Sequence, residues 1–447
     1  MIYDNNVFQN VVTFNKKIVQ DAVGQNCFLE KVCSSLTKDA HIDSPKNLGA
    51  VINYEMPYNF VAQDGLVVNE LQAIVQNVYS LTLTQQANVG ISNTSQEEIL
   101  NFDKEDFKPL TAEARGKALG AKVEQQLASH ANSSATYGTT TSGLIAGQPM
   151  YMSGPTRFAD FVSDGTGLTS LQQLAQMVDN FAMMDVIEEE HRVIMPSNRY
   201  APIVANSLGQ FVPKRNDETA ASWELGTWGH PGVEYLKSNK LPIQRAGTIG
   251  NDKIALTVVR TNDPTGENIT SITFSGAGSG DTINYGDVGY LLPTSGLTAT
   301  TFYGHVPTDQ AVQFRCIATV TADVNGNITV PVVTNTYTQG QGLNGIVGTI
   351  TQNISGNIVA GMQAKFVPDH LCGLYVTGRS FLLAMPPLPN YKPFTCTVDV
   401  DPDTGCSMRT YIQPMPTANK TALVNDCIWD AVLISRPCLR ICLPLTM

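Results

Sequence analysis

The chain has 447 residues, of which 43% are hydrophobic and 15% are charged, and its formal net charge is −11 at pH 7. This length gives room for two or three domains with an ordinary hydrophobic core. The acidic balance, with no run of Lys or Arg, excludes a general attraction to nucleic acid, because such binding depends on neutralising phosphates. The first residues show no secretory signal pattern, and no apolar run is long enough to span a bilayer. We therefore expect a protein that is neither secreted nor embedded in a membrane.

Nine cysteines are scattered along the chain without CxxC pairs or His-rich partners. An odd, scattered set is typical of reduced thiols in a cytosolic protein. Cys396 and Cys406 flank a predicted turn and could face each other across strands, where two buried thiols are favoured over a disulfide.

The first part of the chain predicts an arm followed by a long hairpin. Apolar residues at roughly helical spacing from about Asn6 to Leu36 indicate a helical arm, interrupted at Gly24. The pattern from Leu48 to Leu83 is extended, with a turn near Asp64. Such a two-stranded excursion is marginally stable by itself, so it must lie on another surface.

The strongest helix signal runs from Lys108 to Ala131, where Pro109 and Thr111 suit a helix start. Ser95, three residues before Glu98, indicates a capping box that opens a short helix ahead of it. Apolar residues recur at helical spacing on one face of the long helix: Leu110, Ala114, Ala118, Leu119, Val123 and Leu127. Small residues along the same segment would let another backbone come close: Ala114, Gly116, Ala118, Gly120 and Ala121.

The middle of the chain alternates between helix and strand patterns. The spacing of apolar residues predicts an amphipathic helix from Leu168 to Val186, then a short strand with the sequence HRVIMP that begins at His191, and then a helix near Tyr200 to Leu208.

The composition changes after Lys240, Leu241 and Pro242. Residues 246–366 are rich in Gly, Thr, Asn and Val, and Asn325-Gly326 between apolar runs is a strong turn signal, so we expect a compact all-β insert. Strands resume after Val367, followed by a hairpin that turns at Asp401 to Gly405 and a closing strand pair.

Two short motifs suggest ligand sites, but each has a simpler interpretation. Gly340, Gly342 and Gly345 spell GxGxxG, yet a β-branched, turn-rich segment follows where a dinucleotide site needs a helix. Asp399, Asp401 and Asp403 alternate like the start of a calcium loop. Because Gly405 falls at the seventh position of such a loop and not at the sixth, an Asp-rich turn is favoured.

Two further groups of residues could support acid, base or nucleophile chemistry. Glu188, Glu189 and Glu190 precede His191, a cluster that is more typical of a solvated helix end. His370 lies two residues before Cys372, on the same face of a strand, but no third group can be named to orient such a dyad. We expect no active site, no metal and no cofactor.

The order of these elements resembles the major coat proteins of tailed double-stranded DNA bacteriophages, which have the HK97-like fold, and most of all the P22-type coat protein with its insertion domain. The resemblance covers nearly the whole chain. Its local matches are the Lys240-Leu241-Pro242 step before the insert, and Arg436-Pro437 followed by Leu443-Pro444.

The resemblance implies an α+β HK97-like capsid fold with an inserted all-β domain. It divides the chain into an N-terminal helical arm (1–47), an E-loop (48–85), a P-domain (86–167) with the spine helix (110–131), the first part of an A-domain (168–245), an inserted β-barrel-like domain (246–366), the return of the A-domain (367–390) and the C-terminal strands of the P-domain (391–447).

The resemblance also implies a function. The chain would be a major capsid protein, not an enzyme, that assembles with itself into the hexamers and pentamers of an icosahedral shell around the phage DNA. Assembly would take place in the host cytoplasm and leave the protein in the virion capsid. Scaffolding and portal proteins are the expected partners, a decoration protein is a further candidate, and neither sequence-specific nucleic-acid binding nor membrane binding is expected. The alternative is an enzyme or glycan-binding protein with a carbohydrate-binding-like β domain.

In the resembling family, the E-loop lies over the spine helix of the adjacent subunit. The expected assembly residues are therefore Glu55, Val61, Asp64, Leu66, Val67 and Glu70 on the loop, and Arg115, Lys117 and Lys122 on the helix. Between Asn47 and Asp103 the chain has neither Lys nor Arg, so its acidic groups would meet a basic surface on the neighbour.

Overall fold

A computed structural model describes residues 17–23, 33–35, 48–55, 78–94, 107–129, 191–196, 198, 233–265, 269–300, 307–334, 354–377, 381–390, 395–401, 404–415, 420–433 and 438–445. These residues form two compact units. The first takes its residues from three stretches, Met1–Glu55, Val78–Leu127 and Phe381–Ile434, and the second contains the remainder.

The described helices are α1 (17–23), α2 (Phe107–Ser129) and α3 (Thr248–Asn251). The first eleven described strands are β1 (Cys33–Ser35), β2 (Val51–Glu55), β3 (Val78–Thr82), β4 (Gln85–Thr94), β5 (His191–Met195), β6 (Val233–Lys237), β7 (Ile243–Gln244), β8 (Leu256–Thr261), β9 (Ser271–Ser275), β10 (Thr282–Ile283) and β11 (Val288–Leu291). The later strands are β12 (Thr298–Thr300), β13 (Pro307–Ala311), β14 (Gln313–Cys316), β15 (Val320–Thr321), β16 (Asn327–Thr334), β17 (Gln363–Phe366), β18 (His370–Thr377), β19 (Phe381–Ala384), β20 (Thr395–Val400), β21 (Ser407–Met415), β22 (Lys420–Leu433) and β23 (Cys438–Pro444).

The first unit is built on a six-stranded sheet in the order β1-β19-β22-β21-β20, with β4 also paired to β22. The 14-residue β22 is its central strand, and it is antiparallel to β4, β19 and β21. Trp429 on β22 is 1% exposed, so this strand also supplies a large part of the core. The hairpin that turns at Asp401 to Gly405 is confirmed, because β20 and β21 are antiparallel and the Gly405 amide donates to the Asp401 carbonyl at 2.8 Å.

Helix α2 confirms the long helix, but one part of its predicted apolar face is wrong. Leu119, Val123 and Leu127 are buried as expected, whereas Ala114 and Ala118 are exposed. The buried stripe passes instead through Ala112, at the 3.6-residue period that joins it to Leu119 and Val123. An alanine methyl group contributes little burial free energy, so the two alanines do not determine which face of the helix turns inward.

The N-terminal arm is helical only in part. Residues 17–23 form α1, whose Ile18, Val19 and Ala22 are almost completely buried. The prediction of helix up to Leu36 is wrong, because Cys33–Ser35 is a strand that pairs in parallel with β19. Pairing with a distant strand overrides the weak helical periodicity of this segment.

The second unit contains a five-stranded sheet in the order β23-β18-β5-β6, with β7 also paired to β18. The predicted strand HRVIMP is confirmed as β5, and the strand expected soon after Val367 is confirmed as β18. The predicted closing strand pair is wrong. Strands β22 and β23 both form, but β23 pairs with β18, because Arg440 to Leu443 are at most 2% exposed and need cover on both faces.

The second unit also contains a closed six-stranded barrel in the order β11-β14-β16-β9-β8-β17. Side chains fill its interior, and the rings of Phe274, Phe314 and Phe366 have centroids between 5.6 and 6.0 Å apart. The turn signal at Asn325-Gly326 is confirmed, with Gly326 at φ 75° and its amide donating to the Asp323 carbonyl at 3.1 Å.

Several sequence predictions lie outside the described residues. They are the capping box at Ser95, the helices at Leu168–Val186 and Tyr200–Leu208, the GxGxxG segment at Gly340, Gly342 and Gly345, and the acidic cluster at Glu188 to Glu190.

Candidate functional site

The hairpin predicted for an intersubunit contact is described at its base. Strands β2 and β3 are antiparallel in the register Val51↔Thr82 to Glu55↔Val78. Ile52 and Leu81 are buried on one face, whereas Val51 is 57% exposed. The base of the hairpin therefore has an inner face and an outer face. Of the predicted loop residues, Glu55 ends β2, and Val61, Asp64, Leu66, Val67 and Glu70 lie outside the described residues.

Helix α2 carries the predicted basic partners of that loop, and two of the three are exposed. Lys117 forms an i,i+4 ion pair with Glu113, and this pair lowers the pKa of the Glu113 carboxyl. Lys122 is also exposed. Both lysines lie on the outward side of the helix, where a second molecule could reach them.

Arg115 corrects the third of these predictions. It is only 3% exposed, and one terminal guanidinium nitrogen donates to Asn425 Oδ1 at 2.8 Å, so its side chain points into the protein and not to the surface. The physical reason is its helical position, three residues after Ala112 and four before Leu119, on the buried stripe. Burial lowers the pKa of the Arg115 guanidinium to about 10, which leaves it charged at neutral pH.

The Arg115 contact belongs to a chain of hydrogen bonds that joins α2 to the sheet. Asn425 on β22 donates through Nδ2 to the Thr410 hydroxyl on β21 at 2.6 Å. Further along the helix, the Trp429 indole N–H donates to Gln126 Oε1. These bonds fix the helix on β22 through side chains of defined geometry.

Of the small residues in α2, Gly116 lies against another backbone, as the sequence predicts, whereas Ala114 and Ala118 are exposed. A Cβ atom placed on Gly116 would lie 2.6 Å from the carbonyl oxygen of Ile18 and 3.2 Å from the amide nitrogen of Ala22. Helix α1 therefore crosses α2 at a point that only glycine fits.

A pocket of about 470 Å³ lies beside an ion pair that the sequence analysis did not identify. Arg409 on β21 donates through Nε to Asp426 Oδ1 at 2.9 Å, through a second nitrogen to Asp426 Oδ2, and through a third to the Pro389 carbonyl at 2.6 Å. Its guanidinium also lies 5.5 Å from the ring centroid of Tyr411. The antiparallel register of β21 and β22 is the signal that could have paired Arg409 with Asp426. These contacts stabilise the wall of the pocket, so the role of Arg409 is structural.

A second polar cluster lies in the other unit, where the β10–β11 segment meets β7. Asp287 is 1% exposed and accepts from the Gln244 side chain at 2.9 Å, the Gly247 amide at 2.9 Å and the Asn284 amide at 2.8 Å. Burial raises the pKa of the Asp287 carboxyl, while these donors and the charge of Arg440 act in the opposite direction.

Arg440 completes the attachment of β23 to this cluster. It is fully buried and donates to the Gly286 carbonyl at 2.8 Å. Asp287 and Arg440 thus use their charges to fix the segment before β11 to β7 and β23, which is a structural arrangement.

The His370 and Cys372 pair is described in full. Both residues are completely buried on β18, and His370 Nδ1 lies 2.8 Å from the Pro368 carbonyl oxygen. Burial raises the pKa of the Cys372 thiol, and a thiol is a weak nucleophile compared with a thiolate.

The remaining candidates have structural roles where they are described. Asp401 accepts from the Thr404 amide at 2.9 Å and from its hydroxyl at 2.6 Å, which is the expected Asp-rich turn. Cys396 lies opposite Tyr411, so it does not face Cys406, and the predicted proximity of these two thiols is wrong. In the described ranges, no three His, Cys, Asp or Glu side chains are grouped to hold a metal ion. None of the described helices combines the length and the apolar character needed to cross a membrane.

No protein-family model matches the sequence, and no curated protein matches it. The solved structures to which the chain is similar include phage capsids. The capsid structure of cyanophage P-SCSP1u has a TM-score of 0.38 at 10% identity, covering 93% of this chain and 87% of that one. The capsid of Ralstonia phage GP4 has a TM-score of 0.39 at 7% identity, covering 93% and 90%. The capsid asymmetric unit of cyanophage Pam1 has a TM-score of 0.39 at 7% identity, covering 95% and 93%.

Proposed function

We propose that this chain is a major capsid protein with an HK97-like fold, which assembles with itself into hexamers and pentamers of an icosahedral shell around a phage double-stranded DNA genome. The observation that carries this proposal is the order of its described elements. An antiparallel hairpin base is followed by a 23-residue helix, then by strands of a mixed sheet, a closed barrel, and the return of the chain to that sheet through β18. This is the order that the sequence resemblance implies.

The use of the buried charged groups supports a structural role. Arg115, Arg409 and Arg440 each donate hydrogen bonds to other elements of the protein, and Asp287 accepts three. Buried charges of this kind are costly unless they are paired, and here their partners tie helix to sheet or strand to turn. The buried charged groups therefore hold helices and strands of the protein in position, which is consistent with a structural role.

The barrel fits a packed inserted domain better than a glycan-binding module. Its β8 and β17 strands pair with each other, so the chain enters and leaves the barrel at adjacent positions. Its interior is occupied by aromatic and aliphatic side chains, which fill a barrel of this size. We therefore assign residues 246–366 as a domain inserted in the A-domain, with the arm, E-loop, spine helix and P-domain divided as the resemblance implies.

The intersubunit contact that we propose joins the E-loop of one subunit to α2 of the next. Lys117 and Lys122 are the basic groups offered to Glu55, Asp64 and Glu70, and Arg115 is removed from this set. Exposed ion pairs contribute about 0 to 1 kcal/mol each. Burial of apolar side chains on the loop, at Val61, Leu66 and Val67, must supply most of the binding free energy.

Sedimentation velocity and negative-stain electron microscopy of the full chain test this function. We expect the wild-type protein to form shells or capsomers as its concentration rises. The double variant Leu66→Asp with Val67→Asp should stay soluble and unassembled, because it places charge in the apolar contact. Val324→Asp is the matched control, since Val324 is 86% exposed in a barrel turn and should assemble normally. A wild-type chain that remains monomeric at all concentrations, or a double variant that assembles like the control, would contradict the proposal.

A further inference from the structure

Two cysteines face each other across the antiparallel pair β18 and β23. The register places Cys372 opposite Cys442, between the pairs Leu371↔Leu443 and Gly373↔Ile441, without a shift. Directly opposite residues of an antiparallel pair have side chains on the same face of the sheet. The two thiols therefore point in the same direction from neighbouring strands.

The backbone hydrogen bonds show which kind of pair this is. The amide of Cys372 donates to the carbonyl of Pro242 at 3.0 Å, so it points away from β23 and towards the segment beside β7. Cys372 and Cys442 are consequently a non-hydrogen-bonded pair, in which the Cα atoms lie only about 4.5 Å apart. This spacing falls within the range of about 4.4 to 6.8 Å that disulfides use.

Both cysteine side chains are buried among other side chains of the second unit. Cys372 is 0% and Cys442 2% exposed, and Cys442 belongs to a cluster with Val288, Tyr290 and Val367. Burial raises the pKa of both thiols, so few thiolates form while the strands stay closed. Both thiols are free in this structure.

The other described cysteines face different residues. Cys316 lies opposite Val332, Cys396 opposite Tyr411 and Cys427 opposite Ala87. Cys406 precedes β21 and forms no register pair with a cysteine. Among the cysteines whose side chains are described, only the pair on β18 and β23 has a cross-strand cysteine partner.

We propose that Cys372 and Cys442 form an intrachain disulfide by exchange with a low-molecular-weight disulfide such as oxidised glutathione. When the edge strand β23 opens, the Cys442 thiolate attacks one sulfur of the oxidant and releases one molecule of reduced thiol. The Cys372 thiolate then attacks the Cys442 sulfur in the mixed disulfide and releases the second thiol. Two protein thiols are oxidised and one small disulfide is reduced, and the two protons that the protein thiols lose are taken up by the two released small thiols.

The bond would close the 69 residues between Cys372 and Cys442 into a loop. Between β18 and β23 the chain runs through Phe381–Ile434, which belongs to the first unit, and then returns to the second. A Cys372–Cys442 bond would therefore join covalently β18, after which the chain leaves the second unit, and β23, with which it returns. Closing a loop of this length restricts the unfolded chain and raises resistance to unfolding.

Tryptic mapping of the full chain tests the proposal. Cleavage after Lys365, Arg379 and Arg440 gives FVPDHLCGLYVTGR and ICLPLTM, each with a single cysteine. The chain is incubated with oxidised glutathione in its native state, and in a second arm is refolded from denaturant in the same oxidant. Free thiols are then blocked by alkylation.

We expect the two peptides to appear joined and lighter by two hydrogen atoms, with this link the dominant cysteine pair after refolding. The midpoint denaturant concentration of unfolding should rise on oxidation and fall back with reductant. Cys442→Val keeps an apolar group of similar size and should lose both the linked peptide and the shift, whereas Cys427→Val should keep both. Absence of the linked peptide from both arms, or other cysteine pairs in equal amount, would overturn the proposal. Failure of the chain to assemble into shells would not affect this result.

Discussion

At the scale of single residues, His370 couples the second unit to pH. Its side chain is fully buried, and burial lowers its pKa to about 3, assisted by the charge of Arg440. The Pro368 carbonyl and the Asp369 carboxylate act in the opposite direction without restoring the ordinary value. His370 is therefore neutral in the folded protein at neutral pH.

The pH dependence of stability follows from this shift. An unfolded histidine titrates near pH 6.5, so the stabilisation is fully present above about pH 6.5 and is lost as the pH falls towards about 3. One such group contributes a slope of at most about 1.4 kcal/mol per pH unit. Denaturant unfolding of the wild-type protein should show this loss between about pH 7 and pH 5, above the range where the carboxyl groups titrate.

His370→Gln isolates the contribution of this residue. The variant keeps an N–H donor for the Pro368 carbonyl but cannot titrate, so its free energy of unfolding should depend less steeply on pH in the same interval. The comparison uses slopes, because a loss of packing lowers the curve at every pH alike. Parallel curves for the two proteins would show that His370 is not the titrating group.

Arg115 shows where residue-scale prediction reaches its limit. It lies on the buried stripe of α2, although a charged residue is rarely buried unless it is paired. Asn425, which accepts a hydrogen bond from the buried guanidinium, lies 310 positions further along the chain. Local sequence cannot reveal such a partner, so the burial of Arg115 becomes visible only in the folded structure, where Lys117 and Lys122 are exposed.

At the scale of elements, the crossing of α1 and α2 depends on Gly116. A methyl group there would lie 2.6 Å from the carbonyl oxygen of Ile18, so Gly116→Ala must push α1 away. Overpacking of this kind costs about 1 to 3 kcal/mol. Hydrogen exchange should show that amides of residues 17–23 lose protection, while those of β21 and β22 keep it.

Ala118→Ser is the matched control for the same helix. Ala118 is exposed, so the added hydroxyl meets solvent and α1 should keep its protection. Equal exchange in the two variants would mean that α1 does not rest on Gly116.

The elements differ in how well their sequences predict them. Helix α2 is recovered almost to its ends, because its periodicity is local and repeated over six turns. Strands β1 and β23 are formed by pairing with β19 and β18, which are far away in the chain. A short apolar segment is compatible with a helix, a strand of a local hairpin or a strand paired with a distant one. Which of these forms depends on the partner against which its side chains can be buried.

The barrel is an element that should fold by itself. Residues 246–366 expressed separately should give dispersed NMR amide signals, because β8 and β17 close the barrel and its core lies within the same stretch. Gly289→Ala should lower the free energy of unfolding of this fragment by about 1 to 3 kcal/mol. Its Cβ would lie 2.3 Å from the Phe314 ring.

Val324→Ala is the control within the fragment, since Val324 is 86% exposed and its truncation should change stability by less than about 0.5 kcal/mol. A collapsed spectrum of the wild-type fragment would count against an independent inserted domain. So would a fragment that tolerates Gly289→Ala as well as Val324→Ala.

At the scale of the whole molecule, the proposed shell should be held together without covalent links. In some shells of the resembling family an isopeptide bond joins the long loop to the next subunit, and that bond needs a lysine amine on the loop. This chain has neither Lys nor Arg between Asn47 and Asp103. In the proposed shell, the loop would hold the neighbour through apolar contacts and through ion pairs with Lys117 and Lys122.

Particles boiled in detergent with reductant should therefore run as one band near 48.3 kDa. Without reductant the result should be the same, because a Cys372–Cys442 bond lies within one chain and adds no mass. Lys122→Glu places a like charge opposite the acidic loop, so it should weaken assembly at low salt more than at high salt without changing the band. A ladder of covalent oligomers under reducing conditions would show a cross-link that the loop cannot supply through lysine. A ladder that appears only without reductant would assign the contact to cysteines between subunits, and the Cys442→Val variant would then show whether β23 provides one of them.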